Sequence, residues 1–93
     1  MKESYEITLL RLKLEIVKNK IQGKNRFSKS EKEYFKKSIV LLALEISEVV
    51  KDDNLAQVYA NKMDVSSRKQ MVHIKKALSE LEELLVVIEE LSS

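Results

Sequence analysis

Gly23 is the single glycine in the 93-residue chain, and there is no proline. Phosphate-cradling loops, dinucleotide fingerprints, nucleophile elbows and tight hairpins each need several flexible backbone positions, which glycine supplies at least cost. A chain with one such position is confined to elements joined by short, side-chain-capped turns, and most nucleotide-dependent chemistry is excluded with it. Cysteine is also missing, which removes disulfides, thiolate catalysis and zinc-finger ligation, so the fold must rest on apolar packing. Ninety-three residues make one domain, 1–93, that buries about 60–65% of its unfolded surface.

The remaining punctuation predicts an all-α, four-helix bundle-like domain of three long helices and one short one. Ser4 is suited to cap a first helix over about 5–22, with Gly23 ending it in a left-handed C-cap. Ser28 with Glu31, and Ser30 with Glu33, have capping-box spacing and open a second helix that runs to about Val50. Asp53 or Asn54 is placed to cap a short helix over 55–63, and Ser66 or Ser67 a long one over 66–91. No alternation of β-branched residues marks a strand, and no internal repeat is present.

Apolar spacing says how the helices are used. Ile7, Leu10, Leu14, Val17 and Ile21 recur at alternating intervals of three and four, one stripe of a helix turning about 100° per residue. Tyr5, Leu9, Leu12 and Ile16 make a second stripe that the same neighbour cannot cover. The second helix has a core face of Phe35, Ile39, Leu42, Ile46 and Val49, yet Tyr34, Leu41 and Leu44 lie away from it. In the fourth helix Met71, Ile74, Leu78, Leu81, Leu85 and Ile88 form an unbroken seam that Leu84, Val87 and Leu91 widen. This is more apolar surface than three long helices and a short one readily hide. It predicts a homodimer, with Leu9, Leu12, Ile16, Leu41, Leu44, Leu81, Leu85 and Ile88 at the interface and faces of the first and fourth helices buried between copies.

Charge is unevenly divided. Residues 1–38 carry eleven Lys or Arg against five Glu, and residues 39–93 carry six against ten acids, so the net +2 joins a +6 part to a −4 part. The basic residues crowd from Lys18 to Lys37 and again at Arg68, Lys69, Lys75 and Lys76, while Glu80, Glu82, Glu83, Glu89 and Glu90 make the end of the fourth helix acidic. Either the two signs pair with each other, at about 0–1 kcal/mol per exposed pair, or the basic clusters meet an anion such as nucleic acid.

Residues 57–76, QVYANKMDVSSRKQMVHIKK, resemble a helix-turn-helix segment: Ala60, Met63, Val65, the cap at Ser66, and Ile74 follow its order. The resemblance implies a DNA-binding element using 55–76, with Arg68, Lys69, Lys75 and Lys76 contacting nucleic acid. Asp64 stands where that turn usually has glycine, and Gln70 where the second helix usually packs an apolar residue.

Catalytic chemistry has little to work with. His73 is the only histidine and has no carboxylate three or four residues away, so neither an orienting partner nor a local metal pair accompanies it. Glu45 with Glu48, and Glu80 with Glu83, share helix faces, but the Glu-x-x-His element of di-metal bundles is absent. Tyr5, Tyr34 and Tyr59 read as amphipathic packing residues. The expectation is a protein that is not an enzyme, holds no cofactor or metal and takes no small-molecule substrate. The longest apolar run, Ile39 to Leu44, is far shorter than the ~20 residues of a membrane span, and no export signal is visible, so a cytoplasmic location is expected. A small helical interaction or regulatory protein, of inhibitor, immunity or adaptor type, fits these observations.

Overall fold

A computed structural model of the chain describes the backbone of residues 2–64 and 70–92, and the side chains of 5–64 and 70–91. The described residues are helical throughout, apart from their turns, and contain no strand. Four helices follow in order: α1 (Lys2–Ile21), α2 (Lys29–Val50), α3 (Asn54–Met63) and α4 (Gln70–Ser92). Helix α1 begins before Ser4, which lies inside the helix instead of capping it. The expected caps at Ser66 and Ser67 lie outside the described residues.

The first two turns follow their side chains. Gly23 ends α1 at φ 83°, and the Lys24 N–H donates to the Ile21 carbonyl. Ser28 caps α2 through the full capping box: its Oγ accepts from the Glu31 N–H at 3.2 Å, and Glu31 Oε1 accepts from the Ser28 N–H at 2.9 Å. At the far end Lys51 takes the left-handed conformation, φ 59°, and the N–H groups of Lys51 and Asp52 both donate to the Ser47 carbonyl. This closes the helix as a glycine C-cap would, on a residue that takes positive φ less readily.

The start of α3 departs from expectation. Asp53 occupies the cap position but makes no side-chain cap bond. Asp52 Oδ1 accepts from the Asn54 N–H at 3.1 Å instead, and Ser47 Oγ, buried within α2, accepts from the Ala56 N–H at 3.1 Å. Ser47 thus closes one helix with its carbonyl and opens the next with its hydroxyl.

Ion pairs fix the helix directions. Arg11 reaches Glu89 and Lys18 reaches Glu82, so α1 and α4 are antiparallel. Lys13 meets Glu45 and Lys20 meets Tyr34, which sets α1 antiparallel to α2. Helix α3 folds back along α2, with Ala60, Met63 and Asp64 at its end sharing a groove with Lys36, Lys37, Val40 and Leu41, and it also touches α4, but not α1. The core holds Ile7, Leu10, Leu14, Val17 and Ile21 from α1, Phe35, Ile39, Leu42 and Ile46 from α2, and Ile74, Leu78, Leu81 and Leu85 from α4, all on the expected faces; Val49 and Met71 of those faces are only partly buried, and Tyr59 and Met63 of α3 join the core. Phe27 in the first turn packs on Phe35 with ring centroids 5.0 Å apart.

Candidate interaction surface

The predicted interface residues divide into two groups. Leu81 and Leu85 are completely enclosed by the chain's own helices, and Ile88 packs, half-buried, against the same core. The assignment of Leu81 and Leu85 to a surface between copies is therefore corrected. The seam of α4 is covered by α1, α2 and α3, and a stripe of period 3.6 looks the same whether its cover comes from the same chain or another.

The other five stay outside. Leu9, Leu12 and Ile16 on α1, and Leu41 and Leu44 on α2, keep 39–58% of their surface exposed. Tyr5 on α1 and Tyr34 on α2 are exposed as well. Ile16, Leu41 and Tyr34 line one shallow groove between the helices with Lys13, Ser38 and Glu45; Leu9 lines another with Glu6, Glu45, Glu48 and Val49. The second stripe of α1 points away from the core, so folding leaves an apolar face open to water.

Part of the charge pairs within the chain. The basic α1 and acidic α4 are joined by Arg11–Glu89 at 2.6 Å and Lys18–Glu82 at 2.7 Å. These carboxylates raise the pKa of the arginine and the lysine, in each case first through the hydrogen bond. Lys24 pairs with Glu31, whose pKa is lowered by that bond and then by the Ser28 backbone. On α3 and α4, Lys62 donates to Glu80 Oε1 at 2.9 Å and lowers the Glu80 pKa. Burial, and then the Glu80 carboxylate, push the Tyr59 phenol up to about 12. Lys20 lies 4.8 Å from the Tyr34 ring centre and donates to its hydroxyl, which lowers the phenol's pKa.

Four residues remained as candidates for nucleic-acid contact. Arg68 and Lys69 lie outside the described residues. Lys75 donates to the Lys24 carbonyl at 3.2 Å, and Lys76 acts electrostatically on Glu80. That bond brings Lys75, near the start of α4, to the α1–α2 turn and its basic cluster. Tyr59 and Lys62 of α3 both meet Glu80, about three turns into α4, and residues 65–69 between the two helices lie outside the described residues.

His73 is half-buried on α4. Among the described residues no group of three His, Cys, Asp or Glu is placed to hold a metal ion, and no helix is long and apolar enough to cross a membrane. No known protein family matches the chain, and neither a curated protein nor a solved structure matches it.

Proposed function

We propose that this chain is a non-enzymatic interaction or regulatory protein, of inhibitor, immunity or adaptor kind, that acts through apolar helix faces as a homo-oligomer or on a protein partner. The observation that carries this reading is the outer face of α1 and α2, where Leu9, Leu12, Ile16, Leu41 and Leu44 remain exposed after the core is complete. Exposed apolar side chains grouped on two neighbouring helices favour a partner surface, because leaving them in water costs about 25 cal/mol per Å².

The test is the mass of the particle in solution, by light scattering on a sizing column. The expected particle is larger than the 10.8 kDa chain, and Leu12→Asp with Ile16→Asp returns it to monomer mass with its helicity intact. A wild-type monomer with no protein partner sinks the reading. A helix-turn-helix regulator using residues 55–76 has thinner support, since Lys75 and Lys76 already have neighbours. A salt-dependent shift of duplex DNA, abolished by Arg68→Glu with Lys69→Glu, would favour it over the interaction reading.

A further inference from the structure

The outer ridge of α2 reads Lys37, Leu41, Leu44, Glu48, with intervals of four, three and four residues. Such spacing places all four on one line along the helix, about 17 Å from end to end. All four are exposed, and among the described residues neither Lys37 nor Glu48 has an ion-pair partner. The ridge is symmetric about its midpoint in one respect and antisymmetric in another. Each end lies four residues from the nearer leucine, but one end is cationic and the other anionic.

We propose that this ridge is the centre of an antiparallel homodimer, with the two-fold axis passing between Leu41 and Leu44. This rests on the self-association reading above and adds its geometry. With α2 laid on a second copy of itself in the opposite direction, Leu41 meets Leu44 of the other copy and Lys37 meets Glu48 at both ends. One patch therefore satisfies itself twice, as an isologous interface requires. Helix α1 contributes at the same level. Lys13 reaches Glu45, and Ile16 shares a groove with Leu41, so Leu12 and Ile16 lie beside the leucine pair of α2. The same axis stacks Leu12 of one copy on Ile16 of the other. Parallel stacking of the ridge instead sets lysine on lysine and glutamate on glutamate, which disfavours it.

Charge exchange tests the arrangement. Lys37→Glu puts two acidic pairs at the ends of the dimer, and Glu48→Lys two basic pairs. Each alone should raise the dissociation constant about tenfold at low salt, measured by sedimentation velocity. An equimolar mixture of the two variants should recover association as a heterodimer, because each supplies what the other lacks, and the double variant should recover it as a homodimer. Near 0.5 M salt, where the screening length falls below about 5 Å, the differences should collapse. Circular dichroism checks that the variants stay folded. If wild type dimerises but the single variants dissociate no more readily, or the mixture gains nothing, the antiparallel arrangement is wrong while self-association stands. If wild type does not associate, both fail together.

Discussion

Ser47 shows how much one side chain holds at the α2–α3 corner. Among the described residues it is the one buried residue of polar type, and its hydroxyl is the partner of the Ala56 N–H. Replacing it by alanine leaves that amide without a protein acceptor at a part-buried site, which should cost about 1 kcal/mol in urea unfolding. A loss below about 0.3 kcal/mol would show that water replaces the hydroxyl freely. This cap is not legible in the sequence: the acceptor precedes its donor by nine residues and sits in another helix, whereas cap patterns record only neighbours. Gly23 and the Ser28–Glu31 box are legible because donor and acceptor lie within a few residues of each other. Asp53 misled for the same reason in reverse, having the right type at the right place while Asp52 took the bond.

At the scale of the helix, α1 and α4 carry similar stripes and put them to different use. The seam of α4 is interior, so Leu81→Ala or Leu85→Ala should cost about 2–5 kcal/mol by removing methyl groups from a packed core. Leu12→Ala on the outer stripe of α1 should change the stability of the dissociated chain by less than about 0.5 kcal/mol. Equilibrium unfolding at low protein concentration measures both, and equal losses would contradict the division into inner and outer stripes. Periodicity revealed each stripe and the helix that bears it. What covers the stripe is a fact of tertiary arrangement, which is why Leu81 and Leu85 could be assigned to an interface from sequence and yet lie in the core. For Leu9, Leu12, Ile16, Leu41 and Leu44, the sequence indicated faces turned away from the core, and the structure leaves them open.

For the whole molecule, the paired charges set a window of pH. Glu80 and Glu31 have lowered pKa values when folded, so their contribution is complete above the unfolded value of about 4.3 and is lost as pH falls through the folded values. Tyr59 runs the other way. Its phenol is raised to about 12, so its contribution is complete below about 10 and is lost as pH climbs from there towards 12; Lys18, also raised, adds to that alkaline loss. The thermal midpoint should therefore be flat between about pH 5 and 10 and decline on both sides, and Glu80→Gln should make the acid decline shallower. A midpoint that rises below pH 4 would contradict the pairing. The unequal charge of the two parts of the sequence was plain from the start, but only the folded arrangement shows that opposite signs meet across α1 and α4.

Among the described residues, the charges outside the ion pairs are unevenly placed along the molecule. Arg26, Lys29, Lys32, Lys36 and Lys37, with Glu33 among them, gather near the α1–α2 turn, while Glu6, Glu48, Asp52 and Asp53, with Lys51 beside them, lie towards the opposite end, over a long axis of 41 Å. Such a body feels a torque in the field of another like it. For the proposed dimer this means that two copies turn head to tail before their leucines touch, and that ionic strength should act on how often productive collisions occur more than on how long a formed pair survives.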